Sequence, residues 1–198
     1  MVNKKHSGSE KPNWTDTIGI LSGILESMSI TDRSGVLLDQ QDGINQWIDL
    51  TLSVRKMQRT IYFVGNGASA SMASHFATDV AKNAGIRTNV FTDQSLITAI
   101  ANDFCYEEVY AEPLRWYMNR GDMLIAVSSS GNSPNIVRAI ETAKSISGSV
   151  ITLSGMSKTN VIIQLGDLNF HFPAGTYGMA ETAHATLLHY WMDAIERK

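Results

Sequence analysis

The stretch GDMLIAVSSSGNSPNIVRAI, residues 121–140, holds the pattern from which the rest of the chain is read. Met123 to Val127 form an unbroken apolar run with no polar alternation. A strand of that kind is buried on both faces, as in a parallel sheet covered by helices. The run ends in Ser128, Ser129, Ser130, Gly131 and Asn132. Beyond this polar turn the spacing predicts a helix over 133–147, with Ser133 at the N-cap and Pro134 at the first helical position. Strand, glycine turn, helix is the repeating unit of an α/β fold.

The same unit occurs earlier. IYFVGNG at 61–67 predicts a strand from Thr60, with a helix over Ser69–Ala84 behind it. Further strands are predicted at RTNVFT (87–92), SVITLSG (149–155) and LNFHFP (168–173), and helices over 95–102, 107–119, 159–165 and 179–197. The expected fold is α/β: a three-layer, flavodoxin-like, five-stranded parallel sheet preceded by two helices. Those two helices cover Ile18–Met28 and about 41–59. They show no strand between them, so they must pack on the sheet or on another subunit. Residues 1–13 read as a mobile tail, 14–59 as an oligomerising helical segment and 60–198 as the main domain.

Composition narrows the function. The 198 residues carry 16 Lys+Arg and 19 Asp+Glu, a net charge of −3. That balance argues against nucleic acid or an anionic membrane as the main partner. A single cysteine, Cys105, cannot form an intrachain disulfide, which suits a cytoplasmic location. No run of about 18 apolar residues predicts a membrane span.

In a doubly wound sheet, ligands bind beyond the carboxyl ends of the strands. Two motifs lie there. In the turn Gly65-Asn66-Gly67-Ala68-Ser69, glycine permits close backbone approach and a helix N-terminus follows, a place for an anion. The dinucleotide fingerprint is incomplete: Ala70 stands at its third glycine, and Asp93 is the nearest acidic residue after the second strand. The phosphate-loop lysine is absent. The turn 128–133 brings four hydroxyls together, from Ser128, Ser129, Ser130 and Ser133, enough to bind a phosphate without a buried cation. A tight turn and a helix cap are the plain structural alternatives.

His75 and Asp79 stand four apart on one helix, suited to metal binding, acid–base work or a surface hydrogen bond. On the last helix, Glu181 and His189 are eight apart, about 80° around the axis, so both can border one cleft. His184 points elsewhere and reads as structural; His171, between Phe170 and Phe172, reads as packing or surface; His6 lies in the tail.

GNGASASMASHFATDV, TDQSLITAIANDFCYEEVY, GDMLIAVSSSGNSPNIVRAI and VITLSG together resemble the sugar isomerase (SIS) domain family, most closely its phosphoheptose isomerase branch, over roughly residues 40–198. The resemblance implies conversion of sedoheptulose 7-phosphate to D-glycero-D-manno-heptose 7-phosphate, on the route to bacterial surface heptose. It also implies a homotetramer with sites at subunit interfaces. It places Asn66, Gly67, Ser69, Asp93, Ser128, Ser129, Ser130, Ser133 and Glu181 around the substrate, and Asp79 and His189 as the catalytic pair. It places His75, Asp79, Glu181 and His189 around a divalent metal, zinc first. Two positions depart from the family pattern: its catalytic Glu is Asp79 here, and its metal-binding Gln is Glu181. TYGMAET, residues 176–182, replaces the usual run before the last helix, which bears on the identity of the sugar. Two other readings stay open: an isomerase of another phosphosugar, and a non-catalytic sugar-phosphate-binding regulator of the replication-initiation type.

Overall fold

The computed structural model describes residues 13–196, so the expected tail lies, but for Asn13, outside the described residues. The elements run α1 (Trp14–Glu26), β1 (Ser29–Asp32), β2 (Leu37–Leu38), α2 (Gln40–Lys56), β3 (Thr60–Gly65), α3 (Ala68–Asp79), β4 (Arg87–Val90), α4 (Gln94–Asp103), α5 (Ala111–Tyr117), β5 (Met123–Ser128), α6 (Pro134–Ser145), β6 (Ser149–Gly155), β7 (Leu168–Phe172) and α7 (Tyr177–Ile195). Short turns of tighter or wider helix fill three gaps, a π turn at Val80–Ala84 and 3-10 turns at Tyr106–Glu108 and Val161–Gln164.

Seven strands form one sheet in the order β2-β1-β7-β6-β5-β3-β4. The five expected parallel strands are all present, and within them the order β4-β3-β5-β6-β7 is the flavodoxin-type 2-1-3-4-5 arrangement. Its switch point falls between β3 and β5, whose loops leave toward opposite faces. The continuous apolar runs behave as read: every residue of β5 and of β7 is buried.

The N-terminal segment corrects the expectation of helices alone. β1 and β2 form a short antiparallel hairpin, and β1 extends the sheet antiparallel to β7, Ile30 opposite Phe170. Asp32 makes the turn, its Oδ1 accepting from Ser34 N at 2.8 Å and Val36 N at 2.9 Å, while Gly35 takes φ 82°. Strands of four and two residues are too short to show a period of two. Their existence depends on the open edge of β7, which is a tertiary fact.

Two apolar layers flank the sheet. On one face α2 and α7 meet through Trp47 and Trp191, both fully buried, with ring centroids 4.5 Å apart and planes 7° from parallel. Such a stack adds about 1 kcal/mol to the burial of the rings. Trp191 Nε1 donates to Thr51 Oγ1 at 3.1 Å, and Arg55 Nη1 donates to the Ile195 carbonyl at 3.0 Å. The other face is closed by α4, α5 and α6 through residues such as Tyr110, Leu114 and Ile140. Asp122 ties the base of the switch point, accepting from Thr60 N at 2.9 Å and Asn119 N at 2.7 Å. α1 is the exception: only Ile24 of its 13 residues is buried, and Trp14 is 76% exposed. Among the described residues, no helix is long and apolar enough to cross a membrane.

Candidate functional site

Both strand-end turns meet at the switch point and enclose a cavity of about 340 Å³. It is lined by Asn66, Gly67, Ala68, Ser69, Ser128, Ser129, Ser130, Ser133, Tyr177 and Glu181. The first turn is tight because Gly65 has no side chain: a Cβ there would lie 2.7 Å from the Ser69 backbone. Gly67 then takes φ 56° and stands at the N-cap of α3 without offering a side chain to it. The second turn follows the same logic. Gly131 takes φ 63°, its N–H donates to Ser128 O at 3.0 Å, and a Cβ would run into Asn160 Oδ1. Both positions therefore demand glycine.

Ser133 holds the N-cap position of α6, as expected, yet its hydroxyl makes no capping bond. The serine hydroxyls are side-chain donors of this cavity, while α6 begins at Pro134, which has no N–H, and the Ile136 N–H donates to Ser133 O at 3.0 Å. No Lys, Arg or His is among its lining residues. Two helix N-termini of twelve residues each supply the positive potential instead. This geometry suits a tetrahedral oxyanion that accepts several hydrogen bonds at once.

Eight of the nine residues expected around the substrate line this cavity. Asp93 does not. Its Oδ1 accepts from Leu96 N at 3.0 Å and from Ser95 Oγ at 2.5 Å, which caps α4. The Ser95 bond, with Leu96 N behind it, holds the exposed Asp93 carboxyl below its usual value. The Asx-type spacing Asp93-Gln94-Ser95 is itself a cap signature, and β4 ends at Val90, short of the cavity.

The four expected metal ligands divide between two places. His75 Nε2 lies 3.3 Å from Asp79 Oδ2, and Lys82 Nζ lies 3.5 Å from Asp79 Oδ1. The His189 ring meets Phe76 and His75 edge-on, centroids 4.7 and 5.6 Å apart. Glu181 lines the cavity instead, about 12 Å along the α7 axis from His189 at 1.5 Å per residue. Among the described residues, no three His, Cys, Asp or Glu side chains form a metal-holding group. The donors of a single chain do not fit the metal.

Among the described residues, the two other histidines, His171 and His184, are buried in the fold, while His6 lies outside the described residues. His184 is fully buried against Phe172, ring centroids 5.5 Å apart, and burial pushes its pKa down to about 4. His171 is buried in β7, and burial, with Lys158 nearby, lowers its pKa as well. Cys105 is a free, exposed thiol.

Two site residues escaped the sequence reading. Tyr177, the first residue of α7, stands at the cavity wall one turn before Glu181; only the altered segment 176–182 signalled it. Asn135 is 2% exposed and pairs with Asn66. Its only sequence signal is a polar residue just inside α6, where a solvent-facing side chain is the ordinary expectation.

Known proteins share this architecture. The SIS domain family matches residues 30–155, a span that contains both cavity turns. The phosphoheptose isomerase of Helicobacter pylori (strain P12) is 34% identical over 163 residues, 79% of this chain and 84% of its own. That of Coxiella burnetii (strain Dugway 5J108-111) is 34% identical over 178 residues, 86% of this chain and 89% of its own. The structure of phosphoheptose isomerase from Neisseria gonorrhoeae superposes with a TM-score of 0.79 at 25% identity, covering 91% of this chain and 95% of that one. With matches this long in both sequence and structure, the chain belongs to the SIS domain family, in the branch of the phosphoheptose isomerases.

Proposed function

We propose that this chain is an aldose–ketose isomerase that converts sedoheptulose 7-phosphate to D-glycero-D-manno-heptose 7-phosphate through an enediol. The observation that carries the reading is the switch-point cavity, whose hydroxyls and helix N-termini suit a phosphate monoester. The relatives that share the fold over most of their length bear the same activity in their names.

The reaction needs no change of oxidation state overall. A base removes a proton from C1 of the ketose while the C2 carbonyl oxygen takes up charge and then a proton. The resulting enediol receives a proton at C2 and loses one from O1, which leaves the aldehyde at C1. Asp79 and His189 are assigned as the acid–base pair. Asp79 and His189 each lie twelve residues beyond the cavity end of their helices, Gly67 and Tyr177, about 18 Å along the axis. The reacting C1–C2 end of the sugar lies away from its 7-phosphate, and the acid–base pair it meets is assigned to a neighbouring subunit. The exposed apolar residues Trp14 and Ile18, one turn apart on α1, support assembly through the segment 14–59, in a homotetramer. Among the described residues of one chain no three candidate donors gather; the metal content of the purified oligomer tests whether assembly brings His75, Asp79, Glu181 and His189 together.

Proton exchange between solvent and sedoheptulose 7-phosphate tests the activity, and its absence for every seven-, six- or five-carbon ketose phosphate overturns it in favour of a sugar-phosphate-binding regulator. Mixing two inactive variants, Asp79→Asn and Ser133→Asp, tests the shared site. Reassembled mixtures recover part of the activity if cavity and acid–base pair come from different subunits, and recover none if both act within one chain.

A further inference from the structure

The two cavity turns are joined behind the surface by a pair of amides. Asn66 Nδ2 donates to Asn135 Oδ1 at 2.9 Å, and Asn135 Nδ2 donates to Asn66 Oδ1 at 2.9 Å. Asn135 Oδ1 also accepts from Ile136 N at 3.1 Å. A backbone N–H is only a donor, so the Asn135 atom that faces it is the oxygen. That assignment propagates across the pair: Asn135 must donate to Asn66 Oδ1, and Asn66 must donate to Asn135 Oδ1. The reciprocal contact uses the Asn66 oxygen and one of its two N–H bonds. Tyr110 crowds the same oxygen, its hydroxyl 3.5 Å away while it donates to the Gly65 carbonyl at 2.5 Å. Burial pushes the Tyr110 phenol up to about 12, so it stays a donor across the neutral range. What Asn66 retains for the cavity is its second N–H.

We infer that Asn135 is a positioning residue that holds Asn66 as a hydrogen-bond donor toward the substrate oxygen that gains charge on the way to the enediol. A free asparagine turns either end of its amide outward, and its oxygen there would repel the developing oxyanion. Asn135 removes that choice before substrate arrives, which is how preorganised donors lower a barrier without reorganising during reaction. Asn135 is buried and does not line the cavity, so the cavity residue its side chain touches is Asn66.

This inference rests on the isomerase reading, and a mutant cycle separates the two. Asn135→Leu is expected to lower kcat by roughly 10-fold or more, within the range for losing one aimed donor. Competitive inhibition by inorganic phosphate, which reports the cavity, is expected to stay within about twofold of wild type on the same principle. In an Asn66→Ala background the Asn135→Leu change is expected to have little further effect on kcat. Should Asn135→Leu fail to fold, Asn135→Asp tests the same point. Its ionised carboxylate still accepts from Asn66 Nδ2 and Ile136 N but cannot donate to Asn66 Oδ1. Its activity relative to wild type is expected to recover as pH falls and the carboxyl regains a proton to donate. Additive losses in the double variant, or a flat relative pH profile for Asn135→Asp, overturn the positioning role. A wild-type enzyme inactive on every ketose phosphate overturns the isomerase reading and this inference with it.

Discussion

The switch-point cavity and the α3–α7 face are built by opposite means. The cavity is made of backbone: two glycines at positive φ, two helix N-termini and hydroxyls one bond from the main chain. The His75, Asp79 and His189 group is made of side chains on the surfaces of α3 and α7, held by the contacts of Asp79 with His75 and Lys82 and by edge-on ring contacts. The lining of the first comes from two strand-end turns and the start of α7; the second lies farther along α3 and α7.

That contrast can be broken in order of expected effect. Asp79→Asn removes the carboxylate base and is expected to cut turnover by at least about 100-fold, the usual weight of a general base, with inhibition by inorganic phosphate unchanged. A parallel loss of phosphate affinity would show that the two regions are one site in one chain. Gly131→Ala attacks the other region. A Cβ at φ 63° meets Asn160, so a loss of about 2–3 kcal/mol in chemical denaturation, with weakened phosphate binding, is expected. Unaltered phosphate binding would show that backbone shape does not define the cavity.

His184 lies between the two regions on α7, and its titration is a stability test that leaves both chemistries aside. Its folded pKa, about 4, is below the unfolded value near 6.5. The neutral ring therefore costs nothing above pH 6.5, and stability is lost as pH falls from 6.5 toward 4, because the unfolded chain binds the proton first. The loss from pH 7 to pH 5 amounts to about 2 kcal/mol from this residue alone, and His184→Leu is expected to flatten that slope in denaturant midpoints. The smallest effect is expected from Glu181→Gln. Glu181 adds a carboxylate to a cavity with no lining cation, so its neutralisation is expected to lower the substrate KM by about fivefold, or roughly 1 kcal/mol. A raised KM would assign the carboxylate to substrate hydroxyls instead.

The cavity was legible in the sequence because its physics is local. Gly65, Gly67 and Gly131 mark positions no other residue occupies cheaply, and the serines beside them follow unbroken apolar strands. Asp93 was misplaced because strand-end acidity and a helix cap look alike until β4 is seen to end at Val90. Glu181 and His189 lie about 80° apart around α7, but a projection down the axis hides the rise that separates them. The β1–β2 hairpin and the Asn66–Asn135 pair left almost no trace, since each depends on a partner 69 or more residues away in the chain.

The sequence by itself determined the five parallel strands, their alternation with helices and the two glycine turns at the strand ends, because hydrophobic period, glycine conformation and helix capping act over a few residues. Only the tertiary structure decided which strands are neighbours and that an antiparallel hairpin closes one edge. It alone sends Glu181 to the phosphate cavity while His189 joins His75. Those outcomes depend on distances between segments remote in sequence, which packing sets and local propensity does not.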